Sequence, residues 1–197
     1  MAHIVEVGVA QWGLESKSGD AYWLEPFDGG VLAAVVDGVG HGPEAAYAAR
    51  VLTMALDGRG GEDAGSLVRH CHELLTRTRG AVVGLAWVHT LGLLSWVGVG
   101  NVEGVVFDRL RARPPRVLMS YGGVVGHHLP RVHPRAAVPI EPGDTLVLAT
   151  DGIDPTKIGD VDRMASAQAN ADRIMADGRK GTDDALVLVA RFRGGAS

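Results

Sequence analysis

Three short segments place aspartates at the ends of apolar runs that read as buried strands. Asp37-Gly38 follows the run 31–36, Asp151-Gly152 follows the run 145–150, and Asp183-Asp184 precedes the run 185–189. A carboxylate at the end of a buried strand is costly unless it meets solvent or a cation. The three segments together therefore predict a metal site where these strand ends meet.

The donor types indicate which metal this site would hold. Hard oxygen ligands without cysteine or histidine favour Mg²⁺ or Mn²⁺ over zinc. Two such ions that share a carboxylate lower the pKa of a water between them, which suits hydrolysis of phosphate monoesters. The sequence contains no G-x-S-x-G segment, and its only cysteine, Cys71, lies within a predicted helix. Attack by metal-activated water is therefore the predicted mechanism.

Length and composition limit the other possibilities. A chain of 197 residues predicts a single domain spanning 1–197, large enough to bury a substantial core. The formal net charge of −4 disfavours nucleic acid as a partner. One cysteine rules out an internal disulfide and is typical of a reducing cytoplasm, and the N-terminal segment does not resemble a signal peptide.

The order of predicted elements indicates the fold class. Strands are predicted over residues 3–11, 22–26, 31–36, 81–90, 92–99, 102–107, 117–121, 144–150 and 185–192, with helices over 43–57, 62–79 and 160–177. Because the strands cluster and do not alternate with helices, the class is α+β. About nine strands and three helices predict two packed sheets flanked by helices.

One uncharged stretch, residues 80–102, is long enough to cross a bilayer. It contains polar residues and four glycines spaced as turns or bulges, so two buried strands joined near Leu91-Gly92 are the preferred interpretation. A membrane-associated regulator remains the alternative that rests on this stretch alone.

Four ordered segments also carry a family resemblance. Asp37-Gly38-Val39-Gly40-His41-Gly42, Ala149-Thr150-Asp151-Gly152 and Asp183-Asp184-Ala185 resemble the metal-dependent PP2C-type serine/threonine phosphatases. Ser18-Gly19-Asp20 matches the bacterial branch that contains SpoIIE and the stress-response phosphatases. The resemblance covers essentially the whole chain, and it implies a four-layer α-β-β-α sandwich with two antiparallel sheets.

Carried over position by position, the resemblance implies roles for individual residues. Asp37 would bridge two Mn²⁺ or Mg²⁺ ions, and the Gly38 carbonyl would be a ligand of one of them. Asp151 and Asp183 would complete the ligands of the other ion, which makes Asp37 and Asp151 the residues on which catalysis depends.

Several assignments stay open. Asp20 acts either through a water molecule or as a ligand of a third ion, and Asp184 remains an alternative to Asp183. His41 either contacts substrate or only supports the glycine turn. Leu186 stands where many relatives have threonine, which leaves the ligand register intact but alters its local support.

The implied activity is removal of phosphate from serine or threonine of regulatory proteins in a bacterial stress-signalling pathway. Segments 96–103 and 123–126 resemble the small single-domain stressosome phosphatases of the RsbX type, which suggests stressosome-type phosphoproteins as partners and a cytoplasmic location. The alternative is a catalytically silent PP2C-like module that binds phosphoproteins.

Two further sets of residues have competing interpretations. His127, His128 and His133 lie in a glycine- and proline-rich loop without a fourth ligand at the usual spacing, which disfavours zinc. The arginines of loop 109–116 are interpreted as a solvated basic connection, with contact to an acidic or phosphorylated partner as the alternative. No arginine near the N-terminus corresponds to the phosphate-binding arginine of animal relatives, so substrate affinity is expected to depend on protein contacts.

Overall fold

The computed structural model describes residues 4–132, 137–159 and 161–195. Within these ranges there are ten strands and four helices. The strands are β1 (Val5–Trp12), β2 (Asp20–Phe27), β3 (Gly30–Gly38), β4 (Ala81–His89), β5 (Leu93–Val99), β6 (Glu103–Phe107), β7 (Arg116–Val117), β8 (Val138–Pro139), β9 (Thr145–Ala149) and β10 (Ala185–Phe192). The helices are α1 (Pro43–Leu56), α2 (Ala64–Leu75), α3 (Pro155–Ile158) and α4 (Ala167–Gly178).

The strands form two five-stranded sheets in which every pairing is antiparallel. One sheet has the order β1-β10-β9-β6-β7 and the other has the order β2-β3-β4-β5-β8. Helices α1 and α2 cover the second sheet, whereas α3 and α4 cover the first. The predicted α+β sandwich of two antiparallel sheets flanked by helices is confirmed.

Three apolar clusters separate the four layers. In β3, Ala33 and Val35 pack between the two sheets, while Leu32, Ala34 and Val36 pack beneath α1 and α2. Successive side chains of a strand point to opposite faces, and both faces of this sheet are covered. This is why the central strands are apolar throughout and show no alternation of polar and apolar residues.

The uncharged stretch 80–102 forms β4 and β5, joined by a turn in which Gly92 has φ of +74°. The interpretation as two buried strands is therefore confirmed. Across the described ranges, none of the helices combines the length and the apolar character that a membrane crossing requires.

Some predicted boundaries were wrong. The helix expected over 160–177 corresponds to α4, which begins only at Ala167 after its cap Ser166; residue 160 itself lies outside the described ranges. Helix α3, which Asp154 caps, was not expected. Helix α2 ends at Leu75, four residues before its predicted end. The strand expected over 117–121 is reduced to β7, and β8 was not expected at all. Two-residue strands carry too few side chains to give a sequence pattern.

The exposed edge of β1 is covered by a side chain of α4. The Gln168 amide accepts a hydrogen bond from Val9 N (3.0 Å) and donates one to the Val9 carbonyl (2.9 Å), as a neighbouring strand would. This contact requires α4 to lie very close to β1, and a Cβ on Gly8 would collide with the Ala167–Gln168 backbone. Gly8 is therefore needed for close packing of α4 on the sheet.

We expect Gly8→Ala to lower the free energy of unfolding by about 1–3 kcal/mol, because the added methyl pushes α4 off the sheet. Gly122→Ala is the matched control, since Gly122 has open space around its Cβ position and no positive φ. Urea denaturation of both variants tests this, and equal stability of the two would contradict the packing argument.

Candidate metal centre

Asp20 and Asp37 face each other across the β2–β3 pair. They are directly opposed in the antiparallel register, and Gly38 N, one residue further along β3, donates a hydrogen bond to the Gly19 carbonyl (3.0 Å). Asp20 is buried, with an exposed fraction of 4%, and Asp37 is half-buried. Like charges at directly opposed positions destabilise a strand pair. This pair therefore favours a cation or a shared proton nearby.

Thr150 connects this pair to the other sheet. Its hydroxyl donates to Asp20 Oδ2 (2.6 Å) and accepts a hydrogen bond from Leu186 N (2.9 Å). Thr150 is fully buried, between the end of β9 and the start of β10. The three predicted aspartate segments therefore meet where the two sheets come together, as the sequence suggested.

The glycines of the two Asp-Gly pairs allow close backbone contacts. A Cβ on Gly152 would collide with the Asp184 carbonyl oxygen, and a Cβ on Gly38 would collide with the Ala45 carbonyl oxygen of α1. Neither glycine has a positive φ. The requirement for glycine is therefore one of space. The approach at Gly152 brings Asp151 beside the Asp183-Asp184 segment.

The neighbouring acids Asp183 and Asp184 have different surroundings. Asp184 is buried, and its two oxygens accept hydrogen bonds from Leu14 N (2.7 Å) and Gly19 N (2.6 Å). Asp183 is half-buried, and its Oδ1 accepts from Asp184 N (2.9 Å). Asp184 thus holds the loop that leads into Asp20, while Asp183 is the more open of the two.

Two residues that the sequence did not single out contact Asp151. Asn101 Nδ2 donates to Asp151 Oδ2 (2.5 Å), and Lys180 Nζ donates to the Asp151 carbonyl (2.6 Å). Asn101 lies in a segment quoted only for its family resemblance, and Lys180 reads as an ordinary exposed lysine. Only the long-range packing of the two loops reveals these contacts.

Burial and mutual repulsion raise the pKa values of these acids. Burial, followed by the charges of Asp20 and Asp151, raises the pKa of Asp37 to about 8. Burial raises the pKa of Asp20 to about 7, although its hydrogen bond from Thr150 acts in the opposite direction. The pKa of Asp151 is also raised, first by burial and then by Asp183. The negative charges of these carboxylates are therefore close enough to repel one another.

The oxygen donors of these residues are the type that a hard divalent cation prefers, but they do not converge on one point. Among the described residues, no three His, Cys, Asp or Glu side chains are grouped closely enough to hold a metal ion as they stand. The acids at the meeting of the sheets offer only oxygen donors, and their repulsion is what a divalent cation would relieve. Small side-chain movements would have to complete the ligand set.

The histidines belong to other interactions. His41 is exposed, and its Nδ1 lies 2.6 Å from Glu15 Oε1, which fits support of the glycine turn. His127 and His128 are not part of a metal-ligand group within the described chain, and His133 lies outside it.

Comparisons with known proteins found one family model that matches most of the chain. Residues 28–193 match the family model described as "Stage II sporulation protein E (SpoIIE)". No curated protein sequence matches the chain significantly.

Three solved structures illustrate the likeness. A structure described as "The bacterial stressosome: a modular system that has been adapted to control secondary messenger signaling" is 27% identical, with a TM-score of 0.85 over 96% of this chain and 100% of that chain. RsbX in complex with magnesium is 18% identical, with a TM-score of 0.81 over 95% of each chain. The PP2C domain of SpoIIE from Bacillus subtilis, solved with a fragment of its regulatory domain, is 19% identical, with a TM-score of 0.76 over 98% of this chain and 64% of that one.

The raised pKa of Asp37 predicts a pH dependence of the metal-free protein. The folded state holds this proton up to about pH 8, whereas the unfolded chain releases it near the ordinary value of 3.8. Stability from this group is therefore present at low pH and is lost as the pH rises through this window. We expect Tm to fall from about pH 5 to about pH 8.5 by less in Asp37→Asn than in the unmodified protein.

Asp28→Asn, in the exposed β2–β3 turn, is the control for removing one aspartate. Thermal unfolding in the presence of EDTA measures all three proteins. If the Tm of Asp37→Asn and the Tm of the unmodified protein changed equally with pH, the pKa of Asp37 would not be raised in the folded state.

Thr150→Val should lower the free energy of unfolding by about 2–6 kcal/mol, because two buried polar groups each lose a partner at about 1–3 kcal/mol. Thr150→Ser keeps the hydroxyl and deletes one buried methyl, which costs about 1 kcal/mol. Chemical denaturation compares the two variants. If Thr150→Ser lowered the free energy of unfolding as much as Thr150→Val, the packing of the methyl group would be important at this position and the hydrogen bonds would not.

Proposed function

Because the chain belongs to the SpoIIE family of PP2C-type phosphatases, we propose that it is a metal-dependent protein serine/threonine phosphatase. The observation that supports this most directly is the meeting of Asp20, Asp37, Asp151 and Asp183 between the two sheets. The pKa values of Asp20, Asp37 and Asp151 are raised by burial and by the charges of neighbouring acids, as expected for a site prepared for cations.

Each residue has a part in this proposal. Asp37 would be a ligand of both of two Mn²⁺ or Mg²⁺ ions, the Gly38 carbonyl would bind one of them, and Asp151 and Asp183 would bind the other. We choose Asp183 over Asp184 because both oxygens of Asp184 already accept backbone hydrogen bonds. When bound, two such ions supply positive charge for the phosphate and lower the pKa of a water molecule.

The surrounding residues orient these ligands. Asn101 holds the Asp151 carboxylate and Lys180 holds its backbone carbonyl, so both the side chain and the backbone of Asp151 are held. Thr150 keeps Asp20 in place at the start of β2, where Asp20 would act through water or as a ligand of a third ion. The hydrogen bonds of Asp184 fix the approach of loop 13–19 to the site.

The proposed substrates are phosphorylated regulatory proteins of a bacterial stress-signalling pathway of the stressosome type. The likeness to structures described for the bacterial stressosome and for RsbX supports this choice. We further propose that residues 1–197 form one phosphatase domain and that it works in the cytoplasm.

A silent module that binds phosphoproteins is the second candidate. It is favoured by one observation, the lack of a metal-ligand group already closed around one point among the described residues. Calorimetric titration with Mn²⁺ separates the two candidates. A phosphatase should bind two ions, and metal at about 100 times its Kd should stabilise the fold by about 2.7 kcal/mol for each ion bound.

We expect Asp37→Asn and Asp151→Asn each to lower the rate of p-nitrophenyl phosphate hydrolysis by at least about 10²-fold, because charge stabilisation by the metal ions is worth several kcal/mol. Activity should require Mn²⁺ or Mg²⁺ and disappear with EDTA. A phosphoserine protein serves as the second substrate, and Asp28→Asn should retain full activity. Turnover retained in either site variant would rule out this mechanism.

A further inference from the structure

A cavity of about 840 Å³ opens between the β6–β7 connection and the α3–α4 connection. Its lining includes four arginines and two aspartates, in a chain whose formal net charge is −4. We call this cavity the basic groove. The charged residues that line it are Arg111, Arg113, Arg163, Arg173, Asp162 and Asp177.

Two of the arginines are held in place by hydrogen bonds to Asp108. Arg113 Nε donates to Asp108 Oδ2 (2.8 Å), and Arg163 Nε donates to the Asp108 carbonyl (2.6 Å). The Arg163 guanidinium also lies over the Phe107 ring, 5.8 Å from its centroid. A guanidinium carries five N–H donors, so each of these side chains is oriented while keeping donors for a ligand.

Arg111 has an unusual backbone conformation at the same place. Its φ of +56° is the one positive φ that a non-glycine residue has among the described residues. A bulky residue rarely adopts this left-handed conformation, which costs of order 1 kcal/mol and is found preferentially at functional sites. Asparagine or glycine would fit the backbone better, so the presence of arginine here suggests a use for its side chain.

Two exposed apolar residues adjoin the arginines of the basic groove in the sequence. Leu110, which precedes Arg111, is 68% exposed, and Met164, which follows Arg163, is 93% exposed. Arginine and methionine next to one another are typical of protein-binding surfaces. A small anion would need no such apolar neighbours, so this surface fits a peptide that carries both acids and apolar residues.

We propose that the basic groove docks an acidic segment of the phosphoprotein substrate, separate from the phosphorylated residue. Guanidinium groups bind carboxylates through paired hydrogen bonds, which gives both affinity and orientation. This inference rests on the proposed function for the identity of the partner, but the docking itself does not require catalysis.

The number of residues between the candidate metal centre and the basic groove limits the distance between these two sites. Gly159, which lines the basic groove, follows Asp151 by eight residues, so the two lie within about 28 Å. An extended peptide of about eight to ten residues covers this span. The acidic segment and the phosphoserine of one substrate can therefore bind together if at least that many residues separate them.

The first test is a binding measurement that does not depend on hydrolysis. The probe is a fluorescent peptide with four glutamates and one leucine, and fluorescence anisotropy gives its Kd at low and high salt. Arg111→Asn fits the left-handed backbone and removes the charge, and Arg111→Glu reverses it. We expect Kd to rise about threefold and about tenfold in these variants, and to fall about threefold in Asp177→Asn.

Arg77→Glu is the matched control, because Arg77 is an exposed arginine beyond the end of α2 and does not line the basic groove. It should leave Kd unchanged, and a peptide with glutamine in place of glutamate should bind at least tenfold more weakly. Thermal unfolding confirms that every variant is folded. Unchanged binding in Arg111→Glu, or an equal loss in Arg77→Glu, overturns the proposal.

The second test joins docking to turnover. A phosphoserine peptide carries the acidic segment ten residues away, and its KM should rise about tenfold in Arg111→Glu while kcat is unchanged. Hydrolysis of p-nitrophenyl phosphate should be unaffected, since that substrate has no acidic segment to dock in the basic groove. An inactive protein that still binds the acidic peptide would refute the proposed function alone, and an active one that does not bind it would refute the docking alone.

Two other occupants are distinguished by the same variants. A DNA oligonucleotide that binds as tightly as the acidic peptide, with the same loss in Arg111→Glu, would show a general polyanion surface. Self-association that Arg111→Glu abolishes, measured by analytical ultracentrifugation, would show that a second copy of the chain occupies the surface. Either result overturns the proposal.

Discussion

The repulsion between Asp20 and Asp37 is the constraint on which the rest of this structure depends. Two carboxylates stand opposite each other at the end of a strand pair, where each is removed from much of the solvent. Such a pair destabilises the sheet unless protons or cations compensate for it. This destabilising pair lies next to a buried region in which β3 packs against apolar clusters on both faces. This is the pattern expected when local stability is given up for a binding site.

The hydrogen bonds around this pair show how the second sheet is kept in register with the first. Thr150 links Asp20 to the backbone of β10, and Asp184 links the same region to the loop before β2. Both contacts join residues more than a hundred positions apart in the chain. The position of each acid is therefore set by long-range packing of rigid elements, which is more accurate than placement on a free loop.

The sequence correctly predicted those parts of the molecule in which the types of the residues are enough to identify the secondary structure. Apolar runs ending in Asp-Gly predicted the central strands and the meeting of their acids, because burial on both faces favours apolar residues along most of β3 and β9. It failed where the pattern is too short, as in α3, β7 and β8. It also could not reveal Asn101 and Lys180, since their hydrogen bonds to Asp151 arise from the packing of separate loops. The arginines of loop 109–116 were recognised as basic, but the groove they form with α4 is a property of the folded chain alone.

The strand order β1-β10-β9 has a consequence for the synthesis of this protein. Strand β10, which follows both of its neighbours in the chain, must enter between β1 and β9, so this sheet cannot close until β10 has been made. Asp183 and Asp184 are delivered with that strand. Partly made chains thus expose strand edges that invite aggregation, and contacts between distant parts of a chain form slowly. The proposed metal site is consequently absent from every nascent chain in which β10 has not yet been made.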